Sequence, residues 1–166
     1  MHSRIELGTQ TGTHIDAPAH FHPGGATLDA ILGKSLMGVY FLVELAPTVS
    51  EQELRRQISN YRNESILFIR TPYNLSSEIS LQELNLLMEI PVPLWVLAGE
   101  IILAGAAPLE FHRSIAQKGK FLVEELDCIA AKDVPKDGEL FALPLRLIGT
   151  SGSPCRVMVR GDGSSD

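Results

Sequence analysis

Runs of apolar residues alternate with polar or amphipathic stretches along most of this chain. Three of the apolar runs have the length and composition of buried strands, at 36–45, 65–70 and 93–98. Between them, Ser80 and Glu83 have the spacing of a helix capping box, and Ser50 precedes acidic residues as a helix N-cap does. The pattern predicts strands and helices in alternation around a sheet core.

The two ends of this pattern predict further elements. Residues 4–7 alternate polar and apolar side chains, which is typical of a short strand. Residues 108–118 predict a third helix that ends at Gly119, because glycine is favoured just beyond a helix C-terminus. We expect a strand that contains Glu124 to follow directly.

Length and composition indicate how many domains to expect. The chain has 166 residues, of which 45% are hydrophobic, which is enough for one domain with a substantial core. We expect this single domain to span residues 1–160. Residues 161–166 have no side chains that would bury enough surface to offset ordering, so we expect a flexible tail there.

Charge and hydropathy exclude two kinds of partner. The net charge is −6 and no cluster of lysine and arginine is present, whereas a general nucleic-acid binder needs a basic face. The apolar stretch 90–109 is long enough to cross a bilayer, but Pro91 and Pro93 interrupt a helix and Glu100 would lie near the membrane centre. A buried strand and a turn fit this stretch better, and a small-molecule substrate is the partner that we expect.

The cysteines and the first residues indicate a compartment. Cys128 and Cys155 lie far apart and form no Cys-x-x-Cys motif, so the sequence indicates neither a disulfide framework nor a thiolate zinc site. We expect both to be small buried residues. The first residues lack the apolar core of a signal peptide, and we therefore expect a cytoplasmic protein.

Candidate chemistry is concentrated between Gln10 and His20. In this segment, His14 and Asp16 alternate, so an extended backbone points both side chains to one side. Imidazole and carboxylate groups bind borderline and hard divalent ions, and a site with few protein ligands keeps a position open for water. The same pattern also fits a polar, hydrogen-bonded loop at the start of a domain.

Two residues further along the chain allow similar alternatives. His112 lies in an amphipathic helix, where an ordinary surface or capping histidine is commoner than a ligand. Glu124 lies in a mostly apolar strand, where a buried carboxylate needs a cation or hydrogen-bond donors, and Glu125 should face outward by alternation. His2 and His22 fit no metal spacing, and we expect them to face solvent.

Three segments, in order, resemble the cyclase family, which includes bacterial kynurenine formamidases and isatin hydrolases. The family signature His-x-Gly-Thr-His-x-Asp-x-Pro-x-His matches the segment from position 10 to His20, with Gln10 in place of the first histidine. The separation of His112 and Glu124 agrees with the family, and residues 143–159 resemble its closing strand, turn and strand. The resemblance covers about residues 3–159.

This resemblance implies a fold and a site. The fold would be the α/β, swivelling β/β/α cyclase-like fold, a mixed sheet core with flanking helices. His14 and Asp16 would hold one divalent metal ion, Asp16 and Glu124 would bridge to a second, and His112 would complete the second ligand set. The cofactor would be one or two zinc or manganese ions, with the first weakened or lost because a Gln10 amide oxygen binds zinc less well than imidazole does.

The resemblance also implies an activity. His20 would act as general acid/base while metal-activated water cleaves a C–N bond of a small amide, formamide or lactam, as in N-formylkynurenine formamidase. A homodimer or a larger homo-oligomer is implied as well. The alternative is a catalytically degenerate relative that serves as a binding or assembly module. Family members usually carry a few tens of residues before the motif, so the chain as given is also compatible with a fragment.

Overall fold

The computed structural model describes residues 2–161, in which seven strands close into a barrel. The strands are β1 (His14–Asp16), β2 (Met37–Glu44), β3 (Ile66–Arg70), β4 (Ser76–Ile79), β5 (Leu94–Ala98), β6 (Glu100–Leu103), β7 (Phe121–Glu124), β8 (Gly138–Pro144) and β9 (Gly152–Gly161). The helices are α1 (Glu51–Ile58), α2 (Leu81–Met88), α3 (Glu110–Gln117) and α4 (Cys128–Lys132).

The barrel has the strand order β1-β7-β5-β3-β2-β8-β9, and β9 pairs with β1 to close it. Strands β2, β3, β5 and β7 run parallel, whereas β1, β8 and β9 join their neighbours antiparallel. Strands β4 and β6 form a separate two-stranded parallel sheet. Two of the three-residue 3-10 turns, Pro18–His20 and Leu28–Ala30, follow β1.

Alternate residues of the parallel strands belong to two apolar clusters. Ile66, Phe68 and Val96 pack in the barrel interior with Ile15 of β1. Residues of the opposite parity, such as Trp95, pack against α1, α2, α3 and the β4–β6 sheet. Because both faces of these strands are buried, their sequences are continuous apolar runs rather than alternating ones.

The predicted helix signals are present in the structure. The Ser80 hydroxyl accepts a hydrogen bond from the Glu83 N–H, and the Glu83 carboxylate accepts one from the Ser80 N–H, which completes the capping box of α2. Helix α3, predicted over 108–118, spans Glu110–Gln117 with Lys118 as its C-cap, and Gly119 follows with a φ of 71°. Ser50 occupies the N-cap of α1 without a side-chain cap hydrogen bond.

Two predictions about the ends of the chain differ from the structure, whereas the buried strand predicted within stretch 90–109 is confirmed as β5. Residues 4–7 form no strand, and Ile5 is 81% exposed, because no neighbouring strand is available to pair with them. Gly161, predicted to start the tail, pairs with Gly138 as the last residue of β9, and residues 162–166 lie outside the described residues. Stretch 90–109 forms β5 and β6, and none of the helices within residues 2–161 is long and apolar enough to span a membrane.

Both cysteines are free. Cys155 is buried as expected, and burial raises the pKa of its thiol to about 11, although a hydrogen bond from the backbone of Leu143 acts in the opposite direction. Cys128 is only half-buried, at the start of α4.

One part of the barrel surface lacks a helical cover. On the outer face of β2, β8 and β9, strand register aligns Met37, Phe141 and Met158 in one row. Met37 and Met158 are exposed, and so is Leu143 beside them. This row contrasts with the outer face of the parallel strands, which the helices bury.

We predict that Gly99→Ala destabilises the fold by about 2 kcal/mol or more. Gly99 joins β5 to β6 with a φ of 118°, and a Cβ atom there would lie 1.8 Å from Thr71 Oγ1. Gly105→Ala is the matched control, because Gly105 has a φ of 69° and open space around it, so about 1 kcal/mol is expected from backbone strain alone. Urea unfolding measures both, and equal losses would contradict the steric argument.

Candidate metal centre

Strand β1 places two candidate ligands next to two distant parts of the chain. His14 lies opposite Glu124 of β7, and Asp16 lies opposite Gly152 of β9. Alternation turns Ile15 into the barrel interior and turns His14 and Asp16 to the outer face. Because directly paired residues share a face, Glu124 projects to the same side as His14.

The side chains of this cluster converge closely. His14 Nε2 lies 3.4 Å from Glu124 Oε1 and 3.6 Å from Asp16 Oδ1. On the other ring edge, His14 Nδ1 lies 2.7 Å from the Gly12 carbonyl oxygen, which can only accept a hydrogen bond. Nδ1 therefore carries a proton whether or not the ring is charged, and Nε2 is directed at the carboxylates, which is the arrangement of a metal-ligating histidine with its second nitrogen anchored.

Helix α3 contributes a fourth residue. Its first turn carries His112, whose Nε2 lies 2.9 Å from Glu124 Oε2. Glu124 therefore has one oxygen near His14 and the other near His112. Both histidines approach the carboxylate from the outer face of the barrel.

The donor set fits a divalent cation. His14, Asp16 and Glu124 each offer one ligand atom such that all three atoms lie within 4.8 Å of one another. Asp16 is 3% exposed, and its Oδ2 has no hydrogen-bond partner among the described residues. A buried carboxylate oxygen without a partner is costly, and a cation at this point would satisfy it.

The pKa values of His14 and Glu124 also indicate a site that favours a cation. Burial opposes a charge on His14, but hydrogen bonds to Asp16, Glu124 and the Gly12 carbonyl outweigh it and raise the pKa of His14 to about 10. Burial also opposes ionisation of Glu124, yet hydrogen bonds from His112 and His14 lower the pKa of this carboxyl to about 2. The two carboxylates thus form a site that favours positive charge.

Gln10, the residue that replaces the first histidine of the motif, contacts this cluster through its amide. Its Nε2 donates to Asp16 Oδ1 at 3.3 Å and to Ser151 Oγ at 3.4 Å. Its Oε1 accepts a hydrogen bond from Thr9 Oγ1 at 2.5 Å. A Cβ atom at Gly152 would lie 2.5 Å from Gln10 Nε2, so only glycine there leaves room for this amide.

His20 lies outside the donor cluster. It ends the Pro18–His20 turn, is exposed, and contacts the Phe21 ring with 4.4 Å between ring centroids. Phe21 in turn contacts His112, at 5.0 Å between centroids. A ring contact thus links His20 to the cluster from the solvent side.

A cleft of about 700 Å³ opens beside Glu124 and His112. It lies between α3, strand β6 and the loop that joins them. Its walls combine apolar side chains, such as Ile101, Leu103 and Phe111, with carboxylates such as Glu100 and Glu110. The cleft is large enough for a small organic molecule placed next to the donor cluster.

The structure brings together His14, Asp16, His112, Glu124 and Gln10, all of which are candidates from the sequence. Glu125 is exposed as expected; of the two remaining histidines, His2 is exposed and His22 is half-buried. Sequence reasoning did not identify Thr9, Ser151 and Phe21 as neighbours of the site. In the sequence, only their proximity to the motif or to the closing turn could have indicated these residues. Ser151 reaches Gln10 because β9 pairs with β1.

The known proteins to which this chain is similar include proteins named kynurenine formamidase and metal-dependent hydrolase. A family model described as Putative cyclase matches residues 2–102. Kynurenine formamidase of Polaromonas naphthalenivorans is 28% identical over 173 residues, which cover 95% of the chain and 74% of that protein. Kynurenine formamidase of Delftia acidovorans is 27% identical over 169 residues, covering 95% and 79%.

Solved structures show the same fold. A predicted metal-dependent hydrolase from Bacillus stearothermophilus has a TM-score of 0.69 at 25% identity, covering 95% of this chain and 80% of that one. Isatin hydrolase A from Labrenzia aggregata has a TM-score of 0.72 at 19% identity, covering 94% and 75%. These likenesses confirm the expected α/β cyclase-like fold, with its sheet core and flanking helices.

The family model covers more than half of the chain, and the sequence relatives extend the match over nearly all of it. On this basis, together with a cluster of side chains suited to a divalent metal, the chain belongs to the cyclase family and is a hydrolase of that family.

Proposed function

We propose that this chain is a metal-dependent hydrolase that cleaves the C–N bond of a small amide, formamide or lactam. The observation that carries the proposal is the convergence of His14, Asp16 and Glu124 beside a cleft, with one Asp16 oxygen left without a partner among the described residues. Relatives named kynurenine formamidase support an arylformamide such as N-formylkynurenine as the first substrate to test.

We propose His14, Asp16 and Glu124 as ligands of the cation, with His112 beside Glu124 as the fourth. One or two imidazoles with carboxylates suit either zinc or manganese. When bound, such an ion lowers the pKa of water and polarises the carbonyl group under attack. The Gly12 carbonyl holds the His14 ring in the orientation that this role requires.

The remaining residues would bind the substrate and move the proton. Hydrolysis forms a C–O bond to the carbonyl carbon and breaks the C–N bond, and the amine nitrogen must gain a proton as it leaves. We assign this transfer to His20, since an imidazole can accept and return a proton near neutral pH. Ile101, Leu103 and Phe111 would bind the apolar part of the substrate in the cleft.

We predict that Glu124→Gln lowers metal affinity at least about tenfold and lowers turnover with it. The substitution keeps the size of the side chain but removes a charge that contacts both His14 and His112. Calorimetric titration with Mn²⁺ and hydrolysis of N-formylkynurenine are the measurements. Glu78→Gln is the control, because Glu78 is exposed on β4 and does not line the cleft. Equal losses in both variants would contradict the assignment, and absence of metal in the unaltered protein would favour a non-catalytic module.

A second prediction separates proton transfer from metal binding. His20→Ala should leave the Mn²⁺ affinity unchanged, because His20 contacts Phe21 and not the donor cluster. The same variant should lower kcat by about 10²–10⁴-fold, the range of general acid/base catalysis. His22→Ala, two residues further on, should retain activity. Unchanged kcat in the His20 variant would remove this residue from the mechanism.

We also propose that two copies of the chain pair through the uncovered face of β2, β8 and β9. The exposed Met37 and Met158 and the half-buried Phe141 between them would be buried by a second copy. Arg156 lies on one side of this row, and Glu139, which also pairs with Arg160, lies on the other. A two-fold axis perpendicular to the strands would place these opposite charges of the two copies together.

We predict that Met158→Glu converts a dimer into a monomer, because it would bury a charge within the apolar row. Light scattering coupled to gel filtration gives the mass. Ile129→Glu is the control, since Ile129 is 63% exposed but lies on α4, outside the row. A monomeric unaltered protein, or a Met158→Glu variant that remains dimeric, would contradict this interface.

We further propose that residues 1–161 fold as one domain, one residue longer than the sequence predicts, and that this domain functions in the reducing cytoplasm. Strands β1 and β9, from opposite ends of the described chain, pair directly with each other, so the barrel cannot close without both. The two free cysteines are compatible with a reducing compartment.

A further inference from the structure

We infer that this centre holds a single divalent cation and that Gln10 sets this number by presenting N–H groups where a second ion would need a ligand. The inference rests on the proposed metal-dependent function and makes it more specific. It follows from the orientation of the Gln10 amide, from the contacts that hold it, and from the number of donors nearby.

The Gln10 amide turns its nitrogen toward the cluster. Nε2 donates to Asp16 Oδ1 and to Ser151 Oγ, at 3.3 and 3.4 Å. An amide NH₂ has donors but no lone pair for a metal, and its partial positive charge repels a cation. The amide oxygen, which could bind a cation, is directed to the Thr9 hydroxyl at 2.5 Å.

The surroundings of Gln10 favour this orientation over the reversed one. Reversal would place Oε1 about where Nε2 now lies, facing the Asp16 carboxylate, and two acceptors cannot form a hydrogen bond. Asp16 is 3% exposed, so little water is available to reduce the repulsion. Gly152 packs against Nε2 without a side chain, and this close fit holds the amide beside Asp16.

The donors that remain suffice for one ion only. His14, Asp16 and Glu124 supply three ligand atoms within 4.8 Å of one another, the number of protein ligands that a tetrahedral ion with one position open for water uses, and His112 contacts Glu124. An ion on the Gln10 side of Asp16 would share that carboxylate and would otherwise meet the Gln10 N–H groups. The hydrogen bond from Gln10 to Asp16 Oδ1 thus takes the position of a cation on this side of the carboxylate.

The test counts ions bound by the full chain. Metal-free protein is dialysed against Mn²⁺, and bound manganese is measured by elemental analysis for the unaltered protein, Gln10→His and Gln10→Leu. We expect one ion per chain in the unaltered protein and two in Gln10→His, because imidazole supplies the missing lone pair. Gln10→Leu removes the amide without adding a donor and should keep one ion.

A spectroscopic measurement gives an independent readout. Electron paramagnetic resonance distinguishes an isolated Mn²⁺ from two neighbouring ions, which couple magnetically. We expect the isolated signal in the unaltered protein and the coupled signal in Gln10→His. Gln10→Glu, which is nearly isosteric and adds a carboxylate donor, should also bind two ions and serves as the second variant if Gln10→His fails to fold, as judged by circular dichroism.

The outcomes separate this inference from the function on which it rests. Two ions in the unaltered protein, or one ion in folded variants with His or Glu at position 10, would overturn the role of Gln10 and leave a metal-dependent hydrolase intact. No bound ion in the unaltered protein would overturn both. One bound ion in the unaltered protein, and two bound ions only in the variants that gain a donor at position 10, would establish the inference.

Discussion

Closure of the barrel through β1 is the constraint on which the rest of this structure depends. This strand is only three residues long, yet it pairs with β7 on one edge and with β9 on the other. These pairings set His14 opposite Glu124 and Asp16 opposite Gly152. The same strand pairings that close the barrel therefore bring three candidate metal ligands, His14, Asp16 and Glu124, together.

The chemistry of the centre follows from placing carboxylates on a covered outer face. Asp16 is buried, and Glu124 is only partly accessible between β7 and α3. In this setting, the protein supplies positive charge through His14 and partial positive charge through the Gln10 amide. The two compensating groups differ in kind, since His14 can release its proton to become a ligand, whereas the Gln10 N–H groups cannot.

The helices cover one part of the barrel, so the candidate site and the apolar row of β8 and β9 lie on different parts of its surface. Helices α1, α2 and α3 cover the parallel strands, and the cleft lies at the edge of this cover, beside α3 and β6. The antiparallel strands β8 and β9 carry no helix and expose an apolar row. The site thus gains buried walls from the helical side, while the opposite side is available for another copy of the chain.

Local pattern alone determined much of this protein. The capping box of α2, the end of α3 just before Gly119 and the strands β2, β3 and β5 depend on neighbouring residues, which the sequence displays directly. The side-by-side projection of His14 and Asp16 follows from the period of two along a strand. The pairing of His112 with Glu124 was available only through a family resemblance, because a helix and a strand have no common periodicity.

Only the tertiary structure decided the contacts across the barrel closure. The contact of Gln10 with Ser151, and the position of Gly152 beneath it, require β9 to return to β1 in one register. Tertiary structure also left residues 4–7 unpaired and joined β4 to β6, because a strand forms only where a partner edge is available. Partner and register are properties of the closed barrel, and no local stretch of sequence contains them.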